Sequence, residues 1–281
     1  MRIHLLLPLL LSTSCAFDAG EGFAVLQPTL LAEYSSPASR DAGNGYQRLS
    51  SDFQVRLTTA RMRLERIDLL GRSGGGGPSS FDPANPPPGY TLCHSGHCHR
   101  EDGALIPYEE VEAELGGGGA AASTVATLPV GELDLLAPET RPLECQPDCE
   151  LPETNLSNGK WTLTALTLEG TVRDGRATPR FAGERPFQLQ LTPAGAQAEP
   201  VAVLTQALDI PSDREHEPRV LLNLGLELTP AVFDPVDWAA ATPGQGGTVD
   251  LGAAGNEPVR TQLLKSFSEL TPQAEVQRDD G

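Results

Sequence analysis

The stretch Arg219-Val-Leu-Leu-Asn-Leu-Gly-Leu-Glu-Leu228 carries the longest strict alternation of apolar residues in the chain. Every second position is apolar, at Val220, Leu222, Leu224, Leu226 and Leu228. Because successive side chains of a β-strand point to opposite faces of a sheet, this period of two predicts a strand with one buried face.

The same period recurs elsewhere in the chain. It is found at Phe53, Val55, Leu57, Met62 and Leu64, at Ile67 and Leu69, over Trp161–Val172, at Phe187, Leu189 and Leu191, and over Val201–Ile210. A one-residue slip between Leu64 and Ile67 indicates either a β-bulge or a short break in the strand. Asp174-Gly175 predicts a tight hairpin turn. Repeated strands with turn-rich connections predict a mainly β fold, an antiparallel β-sandwich with long Gly/Pro-rich insertions and one or two short helices.

Two segments have helical patterns. Pro107 is followed by Tyr-Glu-Glu-Val-Glu-Ala-Glu-Leu, which fits a helix of about two turns with acidic residues at its positive end. Residues 257–270 place Val259, Leu263, Phe267 and Leu270 on one face. That apolar stripe predicts a helix that packs on an open end of the sandwich.

The domain organisation follows from composition. We expect a signal peptide over 1–14, a linker with the first strand over 15–51, a β-sandwich domain over 52–270 and a disordered tail over 271–281. The sandwich contains an insertion over 74–122, which begins with the glycine run 74–77 and ends near the run 116–119. Glycine-rich segments bury little apolar surface, so we expect the insertion to be flexible.

The amino terminus predicts export. An apolar run, Leu5–Leu11, is far too short to span a bilayer and is typical of a cleaved secretion signal. Small residues then precede Cys15, which resembles the lipobox of bacterial lipoproteins, although Ser12 stands where that family usually has Leu. The resemblance implies a lipid on Cys15 that anchors the protein to the membrane. With Ala16 next, it also implies an outer-membrane lipoprotein of the cell envelope that faces the periplasm or the exterior. An ordinary signal peptide cut nearby is the alternative.

The chain is strongly acidic. It has 20 Lys and Arg against 38 Asp and Glu, a formal net charge of −18. Such a surface repels phosphate backbones, so the composition argues against nucleic acid as a partner.

The run Cys93-His-Ser-Gly-His-Cys-His99 concentrates nitrogen and sulfur ligands. Imidazole and thiolate suit copper and zinc ions, and Gly96 permits a tight backbone turn. His94, His97 and His99, with Cys93 and Cys98, are therefore the candidate metal ligands. If the cysteines form a disulfide, three histidines suit Cu(II) or Zn(II). Free thiolates would instead suit zinc or Cu(I).

Two other interpretations apply to this run. Oxidised cysteines are the default outside the cytoplasm, so the run can be a disulfide loop with exposed histidines. Alternatively, Cys93, Cys98 and His99 can attach haem c, but the spacing is longer than the usual Cys-x-x-Cys-His. The prolines, glycines and charges around the run also argue against a dry haem pocket.

Cys145 and Cys149 complete the four cysteines that follow Cys15. A Cys-x-x-x-Cys spacing around a proline fits a small disulfide loop or half of a zinc site. Four cysteines allow three connectivities. One has the two local bonds Cys93–Cys98 and Cys145–Cys149, the others are crossed between the two runs, and the sequence does not choose among them.

The late segment Leu226–Trp238, with the long alternating strands, resembles periplasmic copper-binding β-sandwich proteins associated with methanobactin operons. The resemblance implies a sandwich fold. It does not imply copper binding, because the sequence has no histidine motif near the mature amino terminus. A metal prediction therefore depends on the Cys/His run.

Familiar enzyme signatures are missing from the sequence, including Gly-x-Ser-x-Gly, a phosphate-binding loop and His-Glu-x-x-His. We therefore predict a non-enzymatic, lipid-anchored exported protein that binds a transition metal through the Cys/His run. The alternative is a structural or surface-interaction lipoprotein whose two disulfides staple loops and which holds no metal.

Overall fold

The computed structural model describes residues 24–72, 86–94, 97–100, 105–107, 111, 123–151, 155–192, 200–210 and 219–279. The fold is mainly β, as predicted. The strands are β1 (Ala24–Tyr34), β2 (Gln47–Arg48), β3 (Phe53–Arg72), β4 (Tyr90–His94), β5 (His97–Arg100), β6 (Leu105–Pro107), β7 (Ser123–Asp134), β8 (Arg141–Pro142), β9 (Glu150–Leu151), β10 (Asn155–Asp174), β11 (Glu184–Leu191), β12 (Ala202–Ile210), β13 (Arg219–Leu228), β14 (Val249–Asp250) and β15 (Gln273–Asp279). Helix α1 spans Glu257–Ser268.

The larger sheet is built around β3 and β10. These two strands of 20 residues each pair antiparallel along their whole length, from Phe53↔Asp174 to Arg72↔Asn155. Strands β12 and β11 pair with the first and second halves of β10, and β7 and β2 pair with β3. Strand β14 adds to β11.

The smaller sheet has the order β15-β13-β1-β8, with β9 also on β1. Apolar residues of both sheets belong to one hydrophobic cluster, which gives the sandwich-like arrangement. Most strand pairs of the two sheets are antiparallel, as predicted, but two pairs differ. Strands β1 and β13 pair in parallel, as do β11 and β14. Partners so distant in sequence are not joined by a hairpin, so no short turn imposes antiparallel pairing.

The alternation predicts the buried faces correctly. All five apolar positions of β13 are buried, from Val220 to Leu228. In β3 the predicted slip is a bulge: Leu64 pairs with Leu163 and Arg66 pairs with Thr162, so Glu65 has no partner in the ladder. The extra residue turns the apolar side chains that follow back toward the core.

The connection after Asp174-Gly175 differs from the predicted tight turn. Strands β10 and β11 are antiparallel neighbours, but residues 175–183 join them. The Asp174 carboxylate accepts hydrogen bonds from the backbone N–H groups of Arg176 (3.1 Å) and Arg180 (2.7 Å). It also receives the Arg176 guanidinium at 3.0 Å. These bonds stabilise a longer loop in place of a two-residue turn.

The carboxyl-terminal helix is confirmed, and its Val259, Leu263 and Phe267 are buried. The tail, predicted to be disordered, instead forms β15 along the edge of β13. An edge strand depends mainly on backbone hydrogen bonds, so the polar tail can form one although its sequence has no apolar alternation that would predict a strand. The glycine runs of the insertion lie outside the described residues. So does most of the helix predicted after Pro107, and Pro107 itself ends β6.

The Asp174 carboxylate makes the acid stability of the fold testable. Burial acts to raise the pKa of Asp174. The N–H groups of Arg180 and Arg176 and the Arg176 guanidinium outweigh burial, so this pKa lies below its ordinary value. A carboxylate whose pKa is lowered by folding stabilises the folded state at pH values above its pKa in the unfolded chain, about 3.9. That stabilisation is lost as the pH falls through the pKa of the folded state.

We therefore expect Asp174→Asn to lower the free energy of unfolding at pH 7 by about 1.5–3 kcal/mol. It should also flatten the loss of stability below about pH 4. Urea unfolding at a series of pH values measures both effects. Asp52→Asn is the matched control, because Asp52 lies 3.7 Å from the same guanidinium but its side chain is 75% exposed. Equal effects of the two variants would contradict the role of Asp174.

Candidate functional site

Part of the predicted insertion forms a separate three-stranded sheet. Strands β4, β5 and β6 pair antiparallel in that order. We call β4 and β5 the Cys/His hairpin, because they contain the whole Cys/His run except residues 95 and 96, which lie outside the described residues. The run therefore lies on regular backbone with a defined register.

A disulfide joins the two strands of the hairpin. Cys93 and Cys98 are directly opposite in the ladder, with a Cα–Cα distance of 4.0 Å and an S–S bond of 2.04 Å. Cys93 is 8% exposed and Cys98 is 0% exposed. With Tyr90 and Val111 they form a small hydrophobic cluster separate from the main core.

The register places the three histidine positions together. His94 pairs with His97, and Leu92 pairs with His99, on either side of the cysteine pair. Since faces alternate along each strand, positions 92, 94, 97 and 99 share one face and the disulfide lies on the other. We call this the histidine face. Leu92 on it is 52% exposed.

The disulfide limits the ligand chemistry. Both sulfur atoms are bonded to each other, so Cys93 and Cys98 are not free thiolates in this structure. A metal site made of the three histidines alone is compatible with this disulfide. Among the described side chains, no group of three or more His, Cys, Asp or Glu could hold a metal. The side chains of His94 and His97 lie outside that described set.

The second disulfide joins Cys145 to Cys149, so both pairings are local and the crossed alternative is wrong. Its loop contacts both sheets. Gln146 and Thr127 of β7 exchange backbone hydrogen bonds of 2.9 and 2.8 Å, and the Cys149 carbonyl accepts one of 2.9 Å from Leu26 of β1. Strand β7 belongs to the larger sheet and β1 to the smaller, so this loop connects them.

The sequence indicated a small loop at Cys145-Cys149 but not its bridging position. The bonds to Thr127 and Leu26 are made by backbone groups, which carry no residue-specific pattern. No feature of the sequence could have identified these two residues as partners.

Two open grooves lie beside β7 and share Glu132. The first, of about 420 Å³, includes the ion pair between Arg61 and Asp134 at 3.2 Å. In the second, of about 500 Å³, Arg63 lies 3.7 Å from Glu132. Their charged side chains are thus partly engaged with each other, and neither groove contains a described histidine or cysteine.

Comparisons with known proteins identify no relative: no family model, curated protein or solved structure matches this chain. The predicted signal peptide and Cys15 lie outside the described residues. Within the described part of the chain, no helix is long and apolar enough to cross a membrane. A functional proposal therefore depends on the residues of the chain itself.

The position of the Cys145–Cys149 loop predicts its contribution to stability. We expect the double variant Cys145→Ser, Cys149→Ser to lower the free energy of unfolding by about 2 kcal/mol, because the open loop loses its constraint between the sheets. Thermal and urea unfolding measure this loss.

The matched control is Cys93→Ser, Cys98→Ser. That disulfide lies in a cluster separate from the main core, so we expect the main unfolding transition to shift much less. A larger loss of stability in this control than in the Cys145 and Cys149 variant would contradict the assignment.

Proposed function

We propose that this chain is an exported, lipid-anchored, non-enzymatic protein that binds one copper or zinc ion through the histidine face. One observation carries the proposal: the backbone register puts His94, His97 and His99 on the same face of a hairpin that a disulfide closes from the other face. Neutral imidazoles are preferred ligands of Cu(II) and Zn(II).

The location of the hairpin supports a binding role. The insertion leaves the sandwich after Arg72 and returns at Ser123, so the hairpin lies outside the paired strands of both sheets. Its hydrophobic cluster is also distinct from the main core. Metal-binding residues on such an insertion can be replaced without disturbing the packing of the sandwich.

The start of β1 indicates which end of the sandwich an anchor on Cys15 would hold. Gly71 of β3 pairs with both Ser123 and Leu156, and Ala24 of β1 pairs with Leu151. Residues 152–154 alone separate Leu151 from β10, so β1 begins at the end of the sandwich from which the insertion emerges. A lipid on Cys15 would tether this end of the sandwich to the membrane of the cell envelope.

The alternative is a structural or surface-interaction lipoprotein with two loop-stapling disulfides and no metal. The bridging position of the Cys145–Cys149 loop favours a structural use of that disulfide. A structural role for that disulfide does not account for three histidines at positions on one face of the hairpin. We therefore prefer the metal-binding function to the structural alternative.

Metal content separates the two functions. We expect the purified protein to hold one Cu(II) or Zn(II) per chain after dialysis, and His94→Ala, His97→Ala, His99→Ala to lose it because all three proposed ligands are removed. Elemental analysis measures the stoichiometry. His216→Ala, which removes a histidine elsewhere in the chain, should retain the metal. Unchanged metal content in the triple variant would overturn the proposal.

Anchoring has its own test. We expect Cys15→Ala to move the protein from the membrane to the soluble fraction in a bacterial host, because the acylated residue is lost. Fractionation and mass spectrometry of the mature amino terminus measure this change. Cys149→Ser keeps the signal intact and should leave the protein in the membrane fraction. An unmodified mature terminus downstream of Cys15 would contradict the lipoprotein assignment.

A further inference from the structure

We propose that the Cys93–Cys98 disulfide sets the metal affinity of the histidine face, so that metal binding depends on the redox state of this bond. The proposal rests on the metal function proposed above and adds a form of regulation to it. Three observations support it: the register of the hairpin, the shortness of its strands and the opposite placement of sulfur and histidine positions.

The disulfide lies between the two pairs that define the histidine face. On one side of Cys93↔Cys98 is His94↔His97, and on the other is Leu92↔His99. A slip of one residue in a ladder moves every side chain to the other face. The covalent cross-link excludes such a slip and keeps the histidine positions together.

The disulfide acts together with other contacts: the Thr91 hydroxyl donates a hydrogen bond to the His99 carbonyl at 3.3 Å, and β5 also pairs with β6. The hairpin belongs to a sheet with strands of five, four and three residues. Its hydrophobic cluster comprises four described residues, two of which are the cysteines. Strands this short form few ladder hydrogen bonds, so a covalent bond between directly opposite residues of β4 and β5 contributes to the order of the hairpin.

Reduction would loosen the hairpin without adding ligands to the histidine face. A dithiol donates two electrons and two protons: the S–S bond breaks, two protein thiols form, and the dithiol becomes a disulfide. The register puts the two thiols on the face opposite the histidine positions. A metal ion would then have to order the loosened loop on binding, which lowers its affinity.

The second disulfide provides a matched comparison. Cys145–Cys149 also closes a short loop, but that loop connects the two sheets of the sandwich and has no paired position in the hairpin. Opening it should lower the stability of the sandwich and leave metal binding unchanged.

Calorimetric titration with Zn(II) tests the inference on three oxidised proteins: the wild type, Cys93→Ser with Cys98→Ser, and Cys145→Ser with Cys149→Ser. We expect the first variant to raise the Kd for zinc roughly 10- to 50-fold, the loss of constraint expected for so short a loop. The second variant should bind zinc like the wild type. Circular dichroism melting verifies that each sandwich is folded.

The outcomes separate the two proposals. Equal zinc affinity of the wild type and the Cys93 and Cys98 variant would overturn the redox inference and leave the metal function in place. No zinc or copper binding by the oxidised wild type would overturn both. A wild type that binds zinc more tightly after reduction by a phosphine would also overturn the inference, since the thiolates would then act as ligands.

Discussion

The full-length pairing of β3 with β10 is the interaction on which the rest of the structure depends. It aligns two long strands, and all other strands of the larger sheet attach to one of them directly or through β11. The pairing also brings the inward residues of both strands, including Met62 and Trp161, into the core shared with the smaller sheet. Cross-strand packing and backbone hydrogen bonds act together along this ladder.

The bulge at Glu65 shows how this ladder tolerates an imperfect pattern. Without the extra residue, the alternation set by Met62 and Leu64 would turn Ile67 and Leu69 toward solvent. With it, all four side chains are buried. Burying a side chain of this size contributes about 1.5–3 kcal/mol, whereas the bulge interrupts the ladder only locally. The gain from burial explains why the strand bends and continues.

The two disulfides have different surroundings and therefore different consequences. Cys145–Cys149 closes a loop that is hydrogen bonded to β7 and β1, so it stabilises the contact between the sheets. Cys93–Cys98 lies in an insertion with its own small cluster. The proposed metal and redox functions would involve only the hairpin, whose cluster is separate from the main core.

The sequence by itself determined the long strands β3, β10, β11, β12 and β13, their buried faces, the place of the slip in β3 and the helix with Val259, Leu263 and Phe267, because hydrophobic periodicity is a local property. It also identified the Cys/His run as the candidate site. Only the tertiary structure decided the parallel pairing of β1 with β13, the strand formed by the tail and the local pairing of the cysteines. It likewise decided the register that puts positions 94, 97 and 99 on one face of the hairpin. These features depend on which distant segments meet and in which register, and backbone hydrogen bonds between such segments leave no periodic signal in the chain.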